Sequence, residues 1–144
     1  MSKHLLNLLL ILLSFNLYAD DDFPELEDFW VRAAPPGSMM QAAYGTLTNN
    51  TQEDFVLIDA YSPAFKMTEL HKSIVEDGVA KMIHQPKLVI KAGEQLVFKP
   101  GSYHVMLMHP VIKFGVGDSI KINLVYKDGD DKKVQEIWFP VERK

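Results

Sequence analysis

The sequence predicts an all-β fold, an antiparallel sandwich or barrel built from ten short strands. Three observations carry that expectation. Short runs rich in β-branched and aromatic residues recur, with turn signals roughly every 8–12 residues between them. No stretch sustains a helical period over a useful length. The run Ile120, Ile122, Leu124, Tyr126 alternates apolar residues at every second position, as one buried face of a strand requires.

Taken in order, Phe29 to Ala33 reads as the first strand and is stopped by Pro35-Pro36-Gly37. Ala42 to Asn49 is the second, ended by Asn49-Asn50, and Phe55 to Tyr61 the third, followed by Ser62-Pro63. Met67 to Ile74 and Val79 to Ile83 flank Glu76-Asp77-Gly78, a strong turn signal. Lys87 to Ile90 and Gln95 to Phe98 flank Ala92-Gly93, and Tyr103 to Met108 follows Pro100-Gly101. Ser119 to Tyr126 and Val134 to Val141 form a last hairpin around Asp128-Gly129-Asp130. There is no internal repeat and no low-complexity segment. Trp30 and Trp138 are expected in the core. Asn49-Asn50-Thr51 fits a glycosylation sequon, by pattern alone.

The N-terminus reads as an address. Lys3 and His4 precede the apolar run Leu5 to Leu13, which has the length of a signal-peptide core and is short for a membrane span. Leu17-Tyr18-Ala19 is an acceptable cleavage site, and Asp20-Asp21-Asp22 follows at once. Residues 1–19 are therefore expected to be a signal peptide, 20–28 a flexible acidic lead-in, and 29–144 the working domain. No stable membrane insertion is expected after cleavage. About 125 residues remain, enough for one core. The net charge of −4 argues against nucleic acid and anionic membrane surfaces as partners. There is no cysteine, although export usually favours disulfides. The fold must stand on its core, and any soft-metal chemistry must use thioether sulfur.

Two histidines and two methionines offer that chemistry: His71, Met82, His104 and Met106, at the spacing H-x10-M-x21-H-x-M. On one strand His104 and Met106 share a face, with Cα atoms about 6.5–7 Å apart. Across the Val75 to Gly78 turn, a four-residue loop would set His71 opposite Met82, whereas a three-residue loop would shift that register by one. Thioethers are soft and select Cu(I) over zinc, calcium or magnesium, while imidazole suits several transition metals. Thioether ligation should be weaker than thiolate ligation, as a carrier that must release its ion needs. A blue-copper site is excluded for want of a Cys thiolate, and no acid/base constellation suggests turnover. The protein is not expected to be an enzyme.

Here the sequence resembles the PCu(A)C family of periplasmic copper chaperones. All four positions of its motif match. The surrounding segments match as well: Trp30-Val31-Arg32-Ala33-Ala34-Pro35-Pro36-Gly37, Glu69-Leu70-His71, Glu76-Asp77-Gly78-Val79 and Pro100 to Met108. The resemblance covers roughly residues 27–141. It implies a cupredoxin-like β-sandwich or Greek-key barrel, and Cu(I) held near the surface by His71, Met82, His104 and Met106. It also implies delivery toward the Cu(A) centre of cytochrome c oxidase (subunit II), directly or through Sco-type thiol chaperones, in the periplasm. Sequestration of copper, protecting the envelope, is the competing reading on the same residues. Some members carry a His/Met-rich C-terminal tail; this sequence ends in Val141-Glu142-Arg143-Lys144, so no second, Cu(II) site is expected.

Around the motif, Glu69 shares a face with His71 and could orient its imidazole as a neighbouring carboxylate. Met108 is a candidate alternative ligand or packing residue. Met39 and Met40 are either sulfurs near the site or loop hydrophobes. His84 and His109 are expected to be surface histidines.

Overall fold

A computed structural model describes residues 23–144. The expected signal peptide lies outside the described residues. Ten strands follow one another: β1 (Glu25–Arg32), β2 (Met40–Thr48), β3 (Phe55–Tyr61), β4 (Phe65–Glu76), β5 (Val79–His84), β6 (Leu88–Ile90), β7 (Gln95–Phe98), β8 (Tyr103–Pro110), β9 (Ser119–Asp128) and β10 (Asp131–Glu142). They hydrogen-bond in the order β5-β4-β8-β7-β2-β1-β10-β9-β3-β6, and β8 also pairs directly with β2. The array folds over one core, which contains Val31, Leu47, Leu57, Leu70, Leu107, Ile120, Ile122 and Tyr126. This is the cupredoxin-like all-β architecture. The ends of the array, β5 and β6, do not meet, so it is an open sandwich rather than a closed barrel. Most pairings are antiparallel, but β1–β10 and β7–β8 run parallel.

Each expected strand is present, and the boundaries carry the differences. β1 begins at Glu25, inside the segment expected to be a flexible lead-in. Glu25 to Glu27 pair with Thr46 to Thr48, after which the register slips before Trp30 meets Tyr44. The slip is a bulge, with Asp28 at φ 50°. Gly45 sits against it. A Cβ there would stand 3.0 Å from the Cβ of Phe29, so glycine lets the bulge close on β2.

Two local expectations fail. Trp138 lies on the outer face of β10, paired with Lys121, and is 63% exposed, because the inward positions of β10 belong to Phe139 and Val141. The sequon asparagine is structural: Asn49 is fully buried, and its Nδ2 donates to the carbonyls of Glu53 (2.7 Å) and Ile90 (2.9 Å). Its Oδ1 accepts from the Thr51 amide and hydroxyl. Among the described residues no helix is long and apolar enough to cross a membrane.

Candidate metal site

The site begins with the register of two central strands. β4 and β8 pair so that His71 faces His104, Glu69 faces Met106 and Met67 faces Met108. Leu70, Val105 and Leu107, between them, point into the core. The alternation therefore puts His71, His104 and Met106 on one outer face. β2 continues that face on the other side of β8, with Ala42 opposite Met106 and Met40 opposite Met108. Tyr44, two residues on from Ala42, brings its ring to 6.5 Å from that of His104.

β5 completes the face through a turn tighter than a three- or four-residue loop. Glu76 pairs with Val79, leaving only Asp77 and Gly78 in the turn. Their φ angles, 51° and 76°, are both positive, as a type I′ hairpin turn demands. His71 therefore faces His84, and Met82 faces Ser73. Met82 remains on the face of His71, displaced diagonally by one pair. Its side chain is 58% exposed and joins Met106, Met40, Ala42, Tyr44 and Arg32 in lining a cleft of about 210 Å³.

The structure thus brings all four motif residues to one face. The two imidazoles stand edge to face with ring centres 5.7 Å apart. Each has one nitrogen engaged and one free. His71 donates from Nε2 to the Glu69 carboxylate at 2.6 Å, and its buried Nδ1 has no partner among the described residues. His104 donates from Nδ1 to the Ser102 carbonyl at 3.1 Å, and its buried Nε2 is likewise unpartnered. Those bonds fix each tautomer so that the unpartnered nitrogen carries the lone pair. Burial holds the His104 pKa below its ordinary value, opposed by the hydrogen bond to the Ser102 carbonyl and reinforced by the neighbouring His71 ring. His104 therefore takes up a proton less readily than a free imidazole, which favours the unprotonated form a metal ligand needs.

A buried nitrogen without a partner costs about 1–3 kcal/mol. Two such nitrogens, beside the sulfur of a buried methionine, form a donor set that an electrophilic soft ion satisfies. No group of three or more His, Cys, Asp or Glu side chains fit to hold a metal occurs among the described residues. Arg32 closes one flank, its guanidinium 5.3 Å from the Tyr44 ring and 5.7 Å from that of Trp30. Burial raises the Tyr44 pKa, with Arg32 acting against it, so its phenol stays protonated.

His84 is exposed, as expected of a surface histidine, but the sequence did not anticipate that its ring lies 6.2 Å from that of His71. The signal was available: Asp-Gly as a two-residue type I′ turn fixes this register. Met39 sits just outside β2, its carbonyl accepting the His109 amide at 2.8 Å.

A family model described as "Putative lipoprotein LpqE-like" matches residues 25–140. The chain belongs to the LpqE-like family. "Putative lipoprotein Lxx21020" of Leifsonia xyli subsp. xyli is 31% identical over 114 residues, covering 78% of this chain and 68% of that protein. Rickettsia prowazekii protein RP573 is 32% identical over 94 residues, covering 65% of this chain and 52% of its own length. The chain thus spans about two thirds of one relative and half of the other. Among solved structures, Cu(I)-DR1885 from Deinococcus radiodurans is 27% identical with a TM-score of 0.64, over 87% of this chain and 83% of that one. Apo-DR1885 is similar, at 29% and 0.62, over 84% and 79%. The copper-bound PCuAC domain from PmoF2 superposes at 0.67 with 20% identity, over 83% and 92%, a likeness of fold.

Proposed function

We propose that this LpqE-like chain is a Cu(I) carrier that holds one ion at His71, Met82, His104 and Met106. The observation that carries the reading is the pair of buried, unpartnered imidazole nitrogens on adjacent strands, next to Met106 and under the reach of Met82. The donors are two borderline nitrogens and two soft sulfurs, a set that favours Cu(I). The likeness to Cu(I)-DR1885 supports the same ion.

The protein acts by binding and release rather than turnover. Glu69 and the Ser102 carbonyl hold the imidazoles in their ligating tautomers, which removes reorganisation from the binding step. Met82, exposed on an edge strand, engages and disengages most freely, so capture and loss run through its side of the site. We further propose export to the periplasm by the N-terminal segment, in line with relatives named as lipoproteins. There the carrier supplies the Cu(A) site of cytochrome c oxidase subunit II, directly or through a Sco-type thiol protein, whose thiolates bind Cu(I) more tightly than thioethers.

The test is titration of the reduced apo-protein with Cu(I) against a competing chelator. One equivalent should bind, and a variant with all four residues replaced should lose it. Undiminished one-to-one binding in that variant refutes the site. For the delivery route, a deletion strain grown in low copper should lose oxidase activity; normal oxidase with heightened copper sensitivity would assign sequestration instead.

A further inference from the structure

Five of the six methionines among the described residues share the face of the candidate site, and three of them form a row that the site does not use. Met108 on β8 pairs with Met40 on β2 at one side and with Met67 on β4 at the other. Residues paired across antiparallel strands point the same way, with Cβ atoms about 4.5–5.5 Å apart. The outer members, Met40 and Met67, are two strand spacings apart, roughly 9–10 Å. Each methionine has three rotatable bonds, so both sulfurs can lean over Met108. Met40 is 56% exposed and Met67 47%, so neither is filling the core.

The geometry points to a second, outer station for a soft monovalent cation, built from the thioethers of Met40, Met67 and Met108. Three neutral sulfurs without a nitrogen or carboxylate ligand suit Cu(I) or Ag(I) and offer little to Zn(II) or Ca(II). The row lies one residue pair from the Ala42–Met106–Glu69 row, a step of about 6.5–7 Å along the strands. Met40 also lines the cleft that holds Met82 and Met106. An ion on the outer row thus stands beside two ligands of the inner site. Glu69, between Met67 and His71 on the same face, adds a carboxylate that favours a cation on either row. The outer row is the more exposed of the two and lacks imidazole, so it binds more weakly and fills second.

This inference extends the reading of the face as a soft-metal surface, and its test separates the two. Ag(I), which does not cycle redox state, is titrated into full-length protein labelled with 13C at the methionine methyls. Binding is followed by methyl NMR, and stoichiometry by native mass spectrometry. The first equivalent should shift Met106 and Met82, and its absence would count against the inner site. The second should shift Met40, Met67 and Met108 together. The double variant M67L/M108L, which leaves the cleft-lining Met40 in place, should bind the first equivalent as before and the second at least tenfold more weakly. His104→Leu should retain an equivalent that reports at the three outer methyls. A wild-type protein that saturates at one equivalent, with those methyls unmoved, overturns the outer station. So does a double variant that still takes two with wild-type affinity.

Discussion

Replacing His104 with leucine should stabilise the metal-free protein while abolishing its hold on Cu(I). The residue is 3% exposed, and its Nε2 is buried without a partner. Such a group costs about 1–3 kcal/mol. Leucine removes the cost and is close enough in size to leave the packing nearly intact. The hydrogen bond from Nδ1 to Ser102 is lost too, a contribution of about 1 kcal/mol. That carbonyl is not orphaned, because the Ser73 amide also donates to it at 3.0 Å. The balance is a gain of about 0–2 kcal/mol, or a few degrees in the melting temperature of a domain this size. The pH dependence should change with it. The folded-state pKa of His104 lies below the unfolded value of 6.5. Below pH 6.5 the unfolded chain takes the proton first, so His104 costs stability as pH falls toward its folded pKa, and leaves stability untouched above 6.5. The leucine variant should lack that share of the acid-side loss. Denaturant unfolding of apo-protein at several pH values, with Cu(I) competition in parallel, measures both effects. A variant that is less stable than wild type by more than about 1 kcal/mol, or that retains wild-type Cu(I) affinity, would refute the claim that this nitrogen is kept free for a ligand.

Three further outcomes follow from the same geometry. Glu69→Ala should weaken Cu(I) binding by about 10–100-fold in chelator competition, since the carboxylate fixes the His71 tautomer. Met82→Leu should speed loss of Cu(I) to a chelator in stopped-flow measurements, while shifting unfolding free energy by no more than about 0.5 kcal/mol, because the side chain is 58% exposed. Asn49→Ala should destabilise the fold by about 2–4 kcal/mol in denaturant unfolding, through the Ile90 and Glu53 carbonyls it leaves without this donor, and should leave Cu(I) affinity unchanged.

Much of this was legible in the sequence, for identifiable reasons. Alternation and turn residues located all ten strands, since most bury one face and Gly, Pro, Asn and Asp mark the breaks; β5, exposed along its whole length, was located by the Asp77-Gly78 turn before it. The four candidate ligands were legible as a spacing, and the registers of β4 with β8 and with β5 explain how that spacing comes to lie on one face. What was not legible depended on single-residue register. Glu25-Leu26-Glu27-Asp28 reads as an acidic tail until the partner strand β2 is known, because only Leu26 signals burial. Trp138 looks like core by residue type, but its place in the alternation turns it outward. Counting Val75 and Glu76 as loop set Met82 opposite His71; the left-handed conformations of Asp77 and Gly78 put His84 there instead. Met40 and Met108 stood out as sulfurs near the motif, but their alignment with Met67 was not legible, because the three come from strands far apart in the chain.

The order of the strands also bears on the proposed copper site. His71, His104 and Met106 ride on β4 and β8, each bonded to neighbours along both edges. Met82 rides on β5, which is anchored along one edge only. If His71, Met82, His104 and Met106 hold the ion as proposed, fraying of β5 detaches one sulfur without loosening the other three donors or the apolar interior. How long the ion stays and how durable the protein is are then set by different parts of the molecule, and selection can lengthen or shorten the first without trading away the second.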